Sequence, residues 1–205
     1  MELRQSLINV AYKLFLKYGV KSVSMDDIAG KLGVSKKTIY CNVSNKDALI
    51  DIVVDKYICD DKEKIENIIK QSENAIEEII HISIHGINFM QDMAPSLMMD
   101  LQKYHHDTWI KITKDHFHYI EKMIEDNLLR GQNEGFFRTD LNQKIISRVH
   151  ASLILNLFTT DELISDQIDK VTLYKEIVKY HIFSIVNDKG KQYFTQKNFL
   201  NSIYE

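Results

Sequence analysis

Eight histidines are the first residues whose types and spacing could do chemistry. His81 and His85 stand four apart, with Glu77 one turn earlier, so all three fall on one face of a helix. "HH" at 105–106, followed by Asp107, and "HFH" at 116–118 lie downstream. Imidazole and carboxylate ligands suit a divalent transition metal. No cysteine joins them: Cys41 and Cys59 lie in separate stretches and share no metal-ligand spacing. Motif matches of this kind arise easily by chance, so histidines on polar faces or in a pocket are preferred to a metal centre, and no cofactor is expected. A hydrolytic site would need a nucleophile beside a base, or a second carboxylate pair. His105, His106 and Asp107 have neither, so the chain is not read as an enzyme. Cys41 follows Lys36 and Lys37, whose charge would lower a thiol pKa and favour a redox role; a small filler in a helix is the simpler reading.

A second chemistry is better supported, that of anion binding. Between residues 24 and 46 the chain sets Lys36, Lys37 and Lys46 among the hydroxyls of Ser24, Ser35, Thr38 and Tyr40, with Asn42 between. Residues 1–46 hold eight basic against three acidic side chains, a charge of +5, whereas the whole chain carries -3 and its remainder therefore -8. A basic head on an acidic body indicates that the head alone meets a polyanion.

The elements that position these groups are helices. One proline, seven glycines and apolar residues at three-and-four spacing make the fold all-α. Residues 3–18 carry the stripe Leu3, Leu7, Val10, Ala11, Leu14, Phe15 and Tyr18, closed by Gly19. A second helix starts at Ser24, with Asp27 placed for a capping box, and ends at Gly33, where positive φ is cheap. A third starts at Ser35 and a fourth at Ser44 or Asn45. The turn "KLGVS", with Ala29 small and Ile28, Leu32, Val34 and Ile39 inward, makes a helix-turn-helix. Its second helix exposes Lys36, Lys37, Thr38 and Tyr40, and fits the major groove of duplex DNA. Ser24 and Lys46 sit at helix N-termini, which suit phosphate oxygens.

Beyond Leu49 long helices are expected: to about residue 70, then 74–93 (apolar on nearly every side and hence central), about 106–131, 142–159 and 170–188, with a polar tail after Gly190. "SLMMDLQKY" after Pro95 is a short connecting segment. The last two helices carry Ile145, Ile146, Val149, Leu153 and Leu157, and Leu173, Ile177, Val178, Ile182 and Ile185. So much apolar surface favours a symmetric four-helix contact between two copies. Met90, Met99, Trp109 and Phe117 are candidates to line a cavity, with plain core as the equal alternative. The first residues, "MELRQS", lack a signal-peptide core, and no apolar run is long enough for a membrane. A cytoplasmic address is expected, with no membrane partner.

The stretch 5–55 resembles the TetR family of bacterial one-component regulators. The family's pattern is met by Ser24, Ile28-Ala29, Gly33-Val34-Ser35, Thr38-Ile39-Tyr40 and Asn45-Lys46-Asp47-Ala48-Leu49, and "EGFFRTDL" at 134–141 resembles the family's step into its last two helices. Val43 and Cys41-Asn42 depart from the pattern. The resemblance implies a nine-helix chain with a DNA-binding domain at 1–48 and a ligand-binding and dimerisation domain at 49–205. It implies a ligand-responsive repressor, dimeric on a pseudo-palindromic operator of double-stranded DNA, with an unknown small-molecule effector. The DNA-contacting positions are then Ser24, Ser35, Lys36, Lys37, Thr38, Tyr40, Asn42 and Lys46. The alternatives are a helical enzyme, or a structural DNA-binding protein that reuses the fold without sensing. Leu49, Ile52 and Val53 at one end of the fourth helix, and Ile65, Ile68 and Ile69 at the other, would let that helix link head and body.

Overall fold

The computed structural model describes residues 2–159 and 168–204. Apart from isolated bridges, their regular structure is helical: α1 (Glu2–Tyr18), α2 (Met25–Leu32), α3 (Lys36–Tyr40), α4 (Lys46–Gln71), α5 (Ala75–Asp92), α6 (Leu97–Tyr104), α7 (His106–Ile110), a π-helical turn (Lys111–His116), α8 (Phe117–Asn133), α9 (Gln143–Thr159), α10 (Lys170–Ile185), α11 (Asp188–Gln196) and α12 (Phe199–Tyr204). No helix among the described residues is long and apolar enough to cross a membrane. The chain divides into two compact units, Met1–Glu63 with Asp92–Lys114, and Lys64–Gln91 with Asp115–Glu205.

In the first unit Leu7, Ile8, Ala11 and Phe15 of α1 are buried with Met25, Ile28 and Ala29 of α2, Ile39 of α3 and Leu49, Ile50, Val53 and Val54 of α4. The α1 stripe is shorter than the sequence suggests, since Leu3 and Tyr18 at its two ends are exposed. The segment after α5 belongs here too. The Ala94 amide donates to the Leu16 carbonyl at 2.7 Å, and Gly19, at φ 80°, packs so closely that an added Cβ would lie 2.6 Å from Ser96 Oγ. Leu97, Met98 and Leu101 of α6 and Trp109 of α7 are buried.

The second unit is built around α5, whose Ile76, Ile79, Ile80, Ile82, Ile87 and Met90 lie in one core with Ile65 of α4, Met123, Ile124 and Leu128 of α8, and Leu157 of α9. The buried Glu78 is neutralised by Arg130, which also holds Glu134 at 2.7 Å and the Ser72 carbonyl at 3.0 Å. The bend after α8 turns through Gly135 at φ 72°, and the ring of Phe137 occupies the space beside Gly131.

Four expectations are corrected. The tail after Gly190 is not a polar tail: Asn187 caps α11 by accepting from the Gly190 amide at 3.0 Å, and Phe194, Phe199 and Ile203 enter the core. The chain thus exceeds nine helices, with twelve α-helices among the described residues. The stretch 106–131 is interrupted by the π turn, a rare widened turn that, where it occurs, mostly sits inside α-helices. Finally, Leu157, Ile177, Val178, Ile182 and Ile185 are buried within their own chain, so these five are not free to form a subunit face, whereas Ile146, Leu153 and Leu173 pack against the same core and stay partly exposed. Ile145 and Val149 remain exposed on α9, as do Tyr180 and Phe183 on α10.

One buried pair went unseen in the sequence. The rings of His150 (α9) and His181 (α10) stack at 3.7 Å, both 4% exposed, and His181 Nε2 has no hydrogen-bond partner among the described residues. Burial drives His181 down to about 4 and His150 well below its ordinary value, the latter also repelled by His181. Both rings are therefore neutral in the folded chain at pH 7, while the unfolded chain takes up protons near pH 6.5. Stability is full above pH 6.5 and falls as pH drops towards 4; the interval from 6.5 to about 4 is worth roughly 3 kcal/mol for His181. Denaturant unfolding at stepped pH should show this slope in the wild type, and a slope smaller by about one proton in His181→Gln.

Candidate nucleic-acid interface

A helix of five residues does not persist on intrinsic propensity, so α3 depends on what holds its ends. Ser35 caps it: the Thr38 amide donates to Ser35 Oγ at 3.1 Å, and the two hydroxyls share a hydrogen bond of 2.8 Å. At the other end Asn42 Nδ2 donates to the Thr38 carbonyl at 2.9 Å. Ile39, 2% exposed, pins the inner face. The preceding helix is fixed in the same way. Ser24 and Asp27 form the reciprocal capping box, with the Asp27 amide donating to Ser24 Oγ and the Ser24 amide to the Asp27 carboxylate. Gly33, at φ 69°, ends α2 in the left-handed region, and the Val34 amide returns to the Ala29 carbonyl.

The basic side chains then separate by what they already hold. Lys36 Nζ lies 2.8 Å from the Asp26 carboxylate, and this pair raises its pKa, though both groups are exposed. Lys37 makes no ion pair among the described residues and is exposed. Tyr40 is 44% exposed. Lys46 is half-buried and donates to the Val20 carbonyl, so it ties the α1–α2 turn to the start of α4; desolvation lowers its pKa against the pull of Asp100, Asp47 and Asp27. Thus Ser24, Ser35, Thr38 and Asn42 shape the surface, Lys37 and Tyr40 are its free groups, and Lys36 and Lys46 have protein partners as well.

Sequence reasoning missed the polar contacts that fasten α6 and α7 to this head. The Lys21 amide donates to Asp100 Oδ2 at 3.1 Å, and Lys21 Nζ to the Tyr104 hydroxyl at 3.3 Å. His105 Nδ1 lies 3.4 Å from Asp47, Thr108 bonds Asp51, and Lys111 reaches Asp55 at 3.0 Å and Asp51 at 3.8 Å. Asp47, Asp51 and Asp55 recur every four residues, a periodicity visible in the sequence, but their partners lie some fifty residues on.

The other candidates are dispersed. Met90 is buried in the core of the second unit and Phe117 is half-buried against it; Trp109 and Met99 belong to the first unit, where Trp109 is 9% and Met99 56% exposed. His81 is exposed and His85 half-buried on α5, and among the described residues no group of three potential metal-ligating side chains comes together. Cys41 and Cys59 are exposed free thiols.

The sequence profile described as bacterial regulatory proteins of the tetR family matches residues 7–53, the stretch that holds this capped pair of helices. The HTH-type transcriptional regulator YvaF of Bacillus subtilis is 36% identical over 93 residues, 44% of this chain and 48% of that protein, so the alignment spans about half of that relative's length. The TetC protein of transposon Tn10 in Escherichia coli is 26% identical over 153 residues, 67% of this chain and 74% of that protein. In three dimensions the chain resembles a transcriptional regulator of Saccharomonospora viridis in complex with choline, at TM-score 0.73 and 16% identity, covering 91% of this chain and 98% of that one.

The capping box yields a direct check. Ser24 is the first cause of the lowered Asp27 pKa. In Ser24→Ala the Asp27 carboxyl, followed by NMR titration, should move up towards its ordinary value. Loss of the cap should also destabilise the fold by about 1 kcal/mol in urea unfolding.

Proposed function

We propose that this chain is a member of the TetR family of bacterial regulatory proteins, whose profile matches its residues 7–53, and that it is a ligand-responsive transcriptional repressor that binds a pseudo-palindromic operator as a homodimer. The observation that carries the reading is a capped α3 whose free outward groups are Lys37 and Tyr40. Duplex DNA offers acceptors at guanine O6 and N7 in the major groove, which an ammonium on a groove-bound helix can reach. Phosphates are assigned to Ser24 and Lys46 at helix N-termini, with Ser35 and Asn42 beside them, and the groove side to Lys36, Lys37, Thr38 and Tyr40. The DNA-binding domain is taken as residues 1–48 and the remainder as the ligand and dimerisation domain.

The dimer is assigned to α9 and α10, through the exposed residues Ile145, Val149, Tyr180 and Phe183 rather than through the residues that complete the chain's own core. Ile145 and Val149 are four apart on α9, and Tyr180 and Phe183 three apart on α10, so each pair forms part of a stripe. To enter successive major grooves on one face of the duplex, the two α3 helices of a dimer must lie one helical turn of DNA apart, about 34–36 Å.

An effector is part of the proposal. A regulator of like fold is seen in complex with choline; of the candidates Met90, Met99, Trp109 and Phe117 to touch a small molecule here, Met90 and Phe117 lie in the second unit. Control would pass through α4, which buries Leu49 and Val53 in the first unit and Ile65 in the second. Any such coupling is reciprocal: the factor by which ligand weakens DNA is the factor by which DNA weakens ligand.

Lys37→Ala tests the assignment of the groove. It should relax base preference at one position of each half-site, at a cost of about 1–3 kcal/mol for the preferred base. Affinities for a panel of single-base operator variants decide the matter: uniform weakening across the panel would make Lys37 a phosphate contact instead.

A further inference from the structure

Outside the helix-turn-helix, the C-terminal end of α6 gathers two further cations. Lys21, in the turn between α1 and α2, donates from Nζ to the Tyr104 hydroxyl at 3.3 Å and lies 5.1 Å from the centre of its ring. Lys103 approaches the same ring at 5.4 Å. Tyr104 is 48% exposed, and both lysines are exposed. A lysine in the last turn of a helix is an ordinary partner for the helix dipole, which would account for Lys103 alone. It does not account for Lys21 being drawn from another element to the same hydroxyl.

The charges acting on this phenol are both positive: hydrogen bonding to Lys21 and then Lys103 lowers its pKa, and no carboxylate contributes. The nearby Asp100 is 9% exposed and accepts from the Lys21 amide, so it holds the backbone of the turn. The hydroxyl accepts from Lys21, which leaves its own O–H as a donor, and each ammonium has further N–H groups to give. Two ammonium groups and one hydroxyl, exposed together, match the acceptor-only oxygens of a phosphodiester. The cluster is also continuous with the head, because the Val20 carbonyl, one residue before Lys21, holds Lys46 Nζ at the start of α4.

We propose that Lys21, Lys103 and Tyr104 form a second phosphate-binding site for duplex DNA, contributed by α6 and the α1–α2 turn and lying outside the helix-turn-helix. The proposal rests on the reading that the chain binds duplex DNA through α2 to α4. Its sequence-independent character distinguishes it from the groove contact. It adds affinity to any duplex and salt dependence to the binding, and leaves the order of preference among sequences untouched.

The test uses the full chain with two fluorescein-labelled duplexes, one selected from a random pool and one unselected, titrated at several salt concentrations. In Lys103→Gln the slope of log affinity against log salt should flatten by about 0.9 for each phosphate no longer neutralised, equally for both duplexes. Tyr104→Phe keeps the ring under the lysines and removes only the hydroxyl. It should weaken binding about two- to ten-fold, again equally for both. Neither side chain belongs to the core, and matched thermal melts will show that the fold is intact. If the wild type bound neither duplex, the DNA-binding reading would fall and this site with it. If the wild type binds and Lys37→Ala alters preference, while Lys103→Gln and Tyr104→Phe leave both affinity and slope unchanged, the α6 site alone is rejected.

Discussion

The head depends on a constraint of length. Five residues cannot make a lasting helix in water, yet a rigid short helix is what a major groove admits. The chain resolves this by fixing α3 from outside: Ser35 supplies the N-terminal acceptor, Asn42 satisfies a carbonyl at the far end, and Ile39 anchors the inner face in the core. Gly33 lets the backbone turn sharply enough for α2 to deliver α3 in that position, since its φ of 69° would strain a residue with a side chain. The groups left facing outward are then few, Lys37 and Tyr40 among them.

The head is not an isolated three-helix piece. Gly19 admits α6 by lacking a Cβ, and Asp100 and the row Asp47, Asp51 and Asp55 engage Lys21, His105, Thr108 and Lys111. Individually such partly exposed pairs contribute little to stability. Their regular spacing matters more, because a ladder of polar contacts every turn fixes the register of α7 and its flanking residues on α4. It also explains how Tyr104 comes to stand beside the α1–α2 turn.

What could be read in the sequence was local. Caps, a terminal glycine and inward residues within thirty positions identify the helix-turn-helix, because each signal acts on its near neighbours. The C-terminal helices were missed because Phe194, Phe199 and Ile203 are scattered in a polar background and their spacing is broken where Asn198 adopts φ 55°. The His150–His181 stack joins two helices, and the contacts of Asp47, Asp51 and Asp55 cross more than fifty residues; neither leaves a periodic trace. The apolar residues of α9 and α10 were visible, but apolar periodicity does not say whether a face meets its own chain or another. Here Leu157, Ile177, Val178, Ile182 and Ile185 serve the chain itself, and the outward face is the smaller set at Ile145, Val149, Tyr180 and Phe183.

The central claim, that two copies of α3 read duplex DNA under two-fold symmetry, is met most directly by selecting bound duplexes from a random pool and sequencing them. The predicted result is enrichment of an inverted repeat whose half-site centres lie about one helical turn, 10 to 10.5 base pairs, or a multiple of it apart. Recovery of a pool without enrichment, or of a single asymmetric motif without a second half-site, would contradict it.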